Sequence, residues 1–335
     1  MMTDLLPAAP EAVDRAVELL ARGEVVALPT ETVYGLAADA TNAQAVAKIF
    51  EAKERPFFDP LIVHLPSLDW LDRITQNRDP LVGKLVEKFW PGPLTLVLQK
   101  RDIVPDLVTS GLPTVAVRMS AHPVFREVCT RFGKPLAAPS ANRFGRISPT
   151  AAEHVLAELG GRIPLIVDGG ATTHGVESTI VAVENGRIKI LRAGPVTREE
   201  LAEFGEVIFE KRGDTPNAPG QLESHYAPKT KLRIADCGLR IADFSDVRVG
   251  LLARDSSTSL RFAQNDSGES GFAAIEILSA SGDLRESAAN LFSKMRALDE
   301  AGLDLIIAEP VPEVGLGVAI MDRLRKAAAK KMTND

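Results

Sequence analysis

The segment from Leu28 to His64, LPTETVYGLAADATNAQAVAKIFEAKERPFFDPLIVH, constrains the fold more tightly than any other stretch of the chain. An apolar run (Val25, Val26, Ala27, Leu28) is stopped by Pro29, a hydroxyl-rich turn follows (Thr30-Glu31-Thr32-Val33-Tyr34-Gly35), and then a helix opens. Thr41 and Gln44 have the form of a capping box, and Val46, Ile49 and Phe50 recur at helical spacing, so the helix is predicted to start near Asn42. The same spacing brings Lys53 to the last inward-facing position before Arg55-Pro56 breaks the helix. Asp59 and an apolar strand (Leu61, Ile62, Val63) ending in His64 come next. Strand, polar loop, helix and strand make an α/β unit, and in open α/β sheets ligands gather at strand ends. Lys53 and Arg55 therefore suit two tasks, capping free carbonyls at a helix C-terminus or holding an anion.

Length and composition limit what surrounds this unit. At 335 residues the chain exceeds what one compact core usually supports, which predicts two domains. With 45% hydrophobic and 25% charged residues it reads as an ordinary soluble globular protein. A net charge of −6 excludes a surface that coats nucleic acid all over, while leaving room for a local basic cleft. Cys129 and Cys237 are far apart in sequence, with no CxxC and no histidine cluster at ligand spacing, so both are read as reduced, buried and structural in a cytoplasmic protein. The N-terminus lacks a basic leader region and no apolar run approaches about 18 residues, so neither a signal peptide nor a membrane span is expected.

A helix is predicted over 10–22, with Gly23 as its stop. After His64 come a polar stretch, a helix near 81–89, and the turn Trp90-Pro91-Gly92-Pro93 feeding a strand over 94–98. The strand Thr114-Val115-Ala116-Val117-Arg118-Met119 alternates cleanly: Val115, Val117 and Met119 share one face, and Thr114, Ala116 and Arg118 share the other. An arginine there is either solvated or ion-paired, or a fork for a carboxylate or phosphate. The loop from Ser140 to Thr150 (SANRFGRISPT) is small, hydroxylated and twice basic, and ends at a predicted helix N-cap. Three strand-like pieces follow, at 165–170, 175–181 and 188–194. The first domain is predicted to span 1–205, a polar linker with His225-Tyr226-Ala227-Pro228 to span 206–229, and a second α/β domain to span 230–335. Strands near 232–235, 247–253, 274–278 and 303–308 and helices near 283–300 and 318–330 build the second domain. No P-loop, GxSxG or HExxH motif occurs, and Ile320 breaks the glycine pattern begun at Gly315-Leu316-Gly317.

Taken in order, LPTETVYGL, Lys53-Glu54-Arg55-Pro56, PLIVH, Ser140-Ala141-Asn142, ISPT, GVESTI, LRAGP and HYAP resemble the YrdC/YciO-type threonylcarbamoyl-adenylate synthases in their long, two-domain form. The resemblance implies a twisted mixed-sheet YrdC-like domain with a concave basic cleft, followed by a smaller Rossmann-like α/β domain. It implies an enzyme joining L-threonine, bicarbonate or CO₂, and ATP into threonylcarbamoyl-AMP, with release of pyrophosphate and Mg²⁺ carried on the phosphates. The implied partners are the machinery that transfers threonylcarbamoyl to tRNA, at the adenosine beside the anticodon, and double-stranded RNA or tRNA itself. Carried over position by position, Thr32, His64, Arg118, Ala138 and Ser178 would surround threonine. Arg55, Asp59, Thr114, Ser140, Ser148, Arg192 and Tyr226 would contact ATP, and Lys53 and Asn142 would complete the phosphate motifs. Asp59 departs from the pattern, since asparagine is frequent there. Two other readings compete: an RNA-binding module with a basic cleft, and a carbamoyl-adenylate-forming enzyme, whose zinc-finger cysteines this chain cannot supply.

Overall fold

The structure, a computed structural model, describes residues 2–76, 79–210, 225–235, 247–257 and 271–329. The chain divides into two compact units, Met1–Phe144 with Ser148–Gln221, and Gly145–Ile147 with Leu222–Asp335.

The first unit runs β1 (Asp4–Pro7), α1 (Pro10–Ala21), β2 (Val26–Leu28), β3 (Gly35–Asp39), α2 (Ala43–Lys53), β4 (Ile62–His64), α3 (Asp69–Ile74), α4 (Pro80–Phe89), β5 (Leu94–Gln99) and α5 (Asp106–Thr109). It continues through β6 (Thr114–Arg118), α6 (Pro123–Phe132), β7 (Leu136–Ala137), α7 (Ala152–Leu159), β8 (Leu165–Asp168), β9 (Thr179–Glu184), β10 (Arg187–Arg192), α8 (Arg198–Ala202) and β11 (Val207–Phe209). Its strands form one mixed sheet in the order β1-β8-β2-β3-β7-β4-β6-β5-β9-β10-β11.

The alternation read from β6 holds. Val115 and Val117 point into the large core that α2, α3, α4 and α7 cover, together with Leu94, Leu96 and Leu98 of β5 and Val181 of β9. The opposite face is treated differently along its length. Over β8, β2, β3 and β7 it packs on α1 and α6, through Leu19, Leu20, Phe125 and Val128. Over β4, β6, β5, β9 and β10 it carries a small apolar cluster, Ile62, Ala116 and Ile180, flanked by the half-buried Val97 and Leu191. Among the described residues of this unit no helix packs over that half; it is open only in that sense, since Ile62, Ala116 and Ile180 are all buried.

Several local expectations change. The turn after Pro29 leads into β3, which pairs antiparallel with β2, before any helix opens. Gly-Leu-Ala-Ala-Asp has little intrinsic strand preference, and its pairing on both sides supplies what propensity lacks. The N-cap of α2 is Asn42, whose side chain accepts from the amides of Gln44 and Ala45, while Thr41 bonds to Asp39 instead of forming a capping box. Helix α7 starts from Ala151 with no side-chain cap, so the loop from Ser140 to Thr150 does not end at a capping hydroxyl. β11 pairs parallel with β10, which carries the sheet past Gly205 into the stretch expected to be linker. A bulge between Ile190 and Arg192 shifts the register of β10 by one residue, so that Arg192 lies opposite Ile180 on the open face instead of following Ile190 into the core.

The second unit is a parallel sheet of β12 (Lys231–Ile234), β13 (Val249–Ala253), β14 (Ala274–Ile277) and β15 (Leu305–Ala308), ordered β12-β15-β13-β14, with α9 (Leu284–Glu300) and α10 (Leu316–Ala328). These elements match the predicted strands and helices closely, because long apolar runs and helical stripes are the strongest local signals. No described helix is long and apolar enough to cross a membrane. Cys129 is buried and free, its thiol pushed up to about 12 by burial, as suits a structural residue; Cys237 lies outside the described residues.

Candidate active site

The open half of the first unit's sheet gathers most of the residues singled out in the sequence. β4 and β6 are parallel neighbours with His64 paired to Arg118. Arg118 is almost fully buried, and its Nε donates to the carbonyl of Gly92 (3.1 Å) and its Nη1 to Thr32 Oγ1 (3.0 Å). The carbonyl of Gly92 explains the Trp90-Pro91-Gly92-Pro93 turn, which does more than feed β5. Glu31 Oε1 lies 2.5 Å from Arg118 Nη2, a buried ion pair. Burial alone would raise the Glu31 carboxyl, but Arg118 and donors from Ser120 and Ala121 outweigh it and hold it at about 2. His64 is pushed the other way: burial, reinforced by Arg118 and only partly opposed by Glu31, lowers it to about 3, so the ring is neutral near pH 7. Its Nδ1 has no hydrogen-bond partner among the described residues, and its ring packs 4.5 Å from that of Phe125 on α6.

Ser178 sits at the start of β9 beside this group. Its Oγ lies 2.8 Å from Thr95 Oγ1, and Arg192 donates to it through Nη2 (3.1 Å) and to its carbonyl through Nε (3.1 Å). The bulge in β10 therefore has a clear effect, delivering a guanidinium to Ser178.

The end of α2 forms a second group. Lys53 is buried and its ammonium donates to the carbonyls of Ser140 (2.6 Å) and Asn142 (2.5 Å), while the Phe144 amide returns a bond to the Lys53 carbonyl (2.8 Å). Lys53 is thus neither a helix cap nor a free cation; it fastens the Ser140–Asn142 loop to the helix end. The loop is also stitched to β3, since Leu36 donates to Pro139 and Ala141 to Tyr34 (both 2.8 Å). Burial, then the nearby Arg55, push the lysine well below its usual range. Arg55 pairs with Asp59 (2.8 Å) and donates to the carbonyls of Asp59 and Pro60. Asp59 is fully buried; burial raises its carboxyl, against the pull of Arg55, Lys53 and Arg192. So the departure at Asp59 places an internal counter-anion among three cations.

The remaining residues fall in four places. Thr114, at the start of β6, joins Val97, Ala182 and Leu191 in lining a hollow of about 330 Å³ on the open face. Ala138 is buried just past β7, its amide on the carbonyl of Ile62 (2.9 Å). Ser148 is buried and donates to Glu177 (2.5 Å). Tyr226 belongs to the second unit, where its ring stacks on Phe292 (5.5 Å) beneath Arg323 (5.4 Å). Its φ of 61° is unusual for a bulky residue, and the packing around the buried ring is what sustains it. Glu31, Thr95 and Glu177 were not anticipated as site residues, though each holds one that was.

The chain matches a family described as Telomere recombination over residues 18–194 and one described as Threonylcarbamoyl-AMP synthase, C-terminal domain, over residues 196–329. It is 40% identical to the threonylcarbamoyl-AMP synthase of Bacillus subtilis, across 99% of this chain and 97% of that one. The chain belongs to the threonylcarbamoyl-AMP synthase family. A crystal structure of the Pyrococcus abyssi family member Sua5 complexed with L-threonine superposes with a TM-score of 0.86 at 38% identity, covering 98% of each chain. A shorter member, the threonylcarbamoyl-AMP synthase of Vibrio cholerae, is 33% identical and is matched over 98% of its length by 55% of this chain. Among the described residues no group of three or more His, Cys, Asp or Glu side chains converges as a metal cage.

Proposed function

We propose that this chain makes L-threonylcarbamoyl-AMP from L-threonine, bicarbonate or CO₂, and ATP, releasing pyrophosphate, and that the product supplies the threonylcarbamoyl group placed on tRNA at the adenosine beside the anticodon. The observation that carries the reading is Arg118: a buried guanidinium set beside Thr32 and His64, its charge compensated by Glu31, suits a carboxylate. The hydroxyls of Thr32 and Ser178, the neutral ring of His64 and the methyl of Ala138 complete a pocket for a small hydroxylated amino acid.

The reaction asks for positioning more than for a nucleophile. Threonine's amine takes up CO₂ and loses a proton to become a carbamate. A carbamate oxygen then attacks the α-phosphorus, and the bond to the β-phosphate bridging oxygen breaks as pyrophosphate leaves. Arg55, Arg192, Ser140, Ser148 and Asn142 are the proposed phosphate contacts, with Lys53 holding their loop in place. The hollow beside Thr114, where Val97, Ala182 and Leu191 meet Gln76, Gln99 and the acids Asp79, Glu184 and Glu210, is the proposed place of the nucleoside. Mg²⁺, when bound, would offset charge on the triphosphate; the acidic groups fit a role of at most one or two ligands, the rest coming from phosphate oxygens and water. Pyrophosphate release from ATP, measured with threonine and with bicarbonate left out in turn, tests the reading. Release independent of threonine would overturn it. Serine should be the poorer substrate by about 10- to 200-fold, the scale of one missing methyl.

A further inference from the structure

We infer that Glu31 is the positioning residue that tunes Arg118 to a carboxylate and keeps phosphate out of the amino-acid pocket. The inference rests on the reading of Arg118 as the group that takes threonine's carboxylate.

A buried guanidinium on a face that also handles a triphosphate has a selectivity problem. Arginine binds phosphate as readily as carboxylate, since both present paired oxygens to its fork. Phosphate carries more charge, so an uncompensated Arg118 would favour the wrong anion and let ATP or pyrophosphate occupy the amino-acid end.

Glu31 answers this by geometry. Its carboxylate is 7% exposed and is fixed by groups other than Arg118: Ser120 Oγ donates to Oε2 at 2.5 Å and the Ala121 amide to Oε1 at 3.1 Å. Ser120 is in turn held by the His122 amide (3.2 Å). The acid is therefore built into the turn that follows β6 and cannot swing aside to yield a bare cation. Placed 2.5 Å from Nη2, it cancels most of the charge of Arg118. Nε and Nη1 are anchored on Gly92 and Thr32. What remains is a guanidinium whose charge is largely compensated, beside a neutral His64. A monoanionic carboxylate gains hydrogen bonds there at little electrostatic cost. A polyanionic phosphate meets a fixed negative charge a few ångströms away, and like charges at that distance in a buried site cost several kcal/mol.

The test uses the full chain with Glu31→Gln, which keeps the shape and removes the charge. Expected are a Michaelis constant for threonine raised at least about tenfold, one for ATP changed less than about twofold, and inorganic pyrophosphate turned into a competitor of threonine. Glu31→Asp, which restores charge, should recover exclusion of pyrophosphate in large part. Equal rises in both Michaelis constants, or an unchanged threonine constant, would overturn the inference in favour of a structural ion pair. Should Glu31→Gln fail to fold, Ser120→Ala removes one anchor at constant charge and should shift the threonine constant alone, by a few-fold. Calorimetric titration of threonine without ATP separates the two ideas. Glu31-dependent threonine binding in a protein that releases no pyrophosphate would sink the proposed reaction and leave the role of Glu31 intact. A threonine-dependent synthase indifferent to Glu31→Gln would do the reverse.

Discussion

At the scale of single residues, the site's chemistry is set by charges that are buried and paired. Glu31 is held at about 2 against an ordinary 4.5, so its stabilising contribution is complete above pH 4.5 and is lost as pH falls through 2. His64 is lowered from 6.5 to about 3, so its neutral form stabilises the fold fully above 6.5 and ever less as pH falls towards 3. Both act in the same direction. Urea unfolding should show stability falling from pH 6.5 downwards, by about 1.4 kcal/mol per pH unit from His64 with an addition from His122, which burial also lowers, and more steeply below 4.5. His64→Gln should flatten the first segment and keep the second. Lys53→Ala makes a different point. It strands two carbonyls, one buried and one part-buried, and each orphan costs about 1–3 kcal/mol, so calorimetry should show a loss of roughly 2–6 kcal/mol as well as weakened catalysis. A loss below about 1 kcal/mol would mean that the lysine is free for substrate. Lys53 and Arg118 were legible in sequence because helical spacing and strand alternation give direction to a side chain. Glu31, Thr95 and Glu177 were not, because their partners Arg118, Ser178 and Ser148 lie far along the chain and no local period links them.

Elements place these residues through irregularities as much as through regular structure. β3 escaped the sequence because its alanines and glycine carry no strand signal, and the bulge in β10 escaped because an extra residue leaves no mark on composition. Yet that bulge decides which face receives Arg192. Beside it, Gly194 lies so close to the turn before β9 that a Cβ would stand 2.4 Å from the Thr179 amide and 2.6 Å from the Glu177 carbonyl. Backbone cannot yield there as a flexible side chain would. Gly194→Ala should therefore lower the melting temperature by several degrees and reduce the threonine-dependent rate, since it displaces Ser178 and Glu177 together. A melting curve unchanged within a degree would show that the contact relaxes freely.

At the scale of the molecule, the two units differ in how openly their sequences announce them. The second was almost fully legible, being alternating apolar strands and long amphipathic helices. The first is a mixed sheet of distant pairings, and its outer limit was set too early, at Gly205, because Val207–Phe209 is too short to stand out. A chain ending at Gln221 should fold cooperatively, whereas one ending at Gly205 loses β11, uncovers the edge of β10 and should melt lower; thermal denaturation of the two compares them directly. Equal melting temperatures would make β11 dispensable.

The open face also has a length. Thr114 and Arg118 occupy the same face of one strand, four residues apart, which at 3.3 Å per residue is about 13 Å. A single rigid strand thus acts as a ruler between the hollow suited to a nucleoside and the fork suited to a carboxylate. Its graduation is coarse, because adding one residue between the two marks does not lengthen the gap by a quarter; it turns Arg118 into the core and a valine outwards. The span between the two proposed substrate positions can be altered only two residues at a time, and so is all but locked.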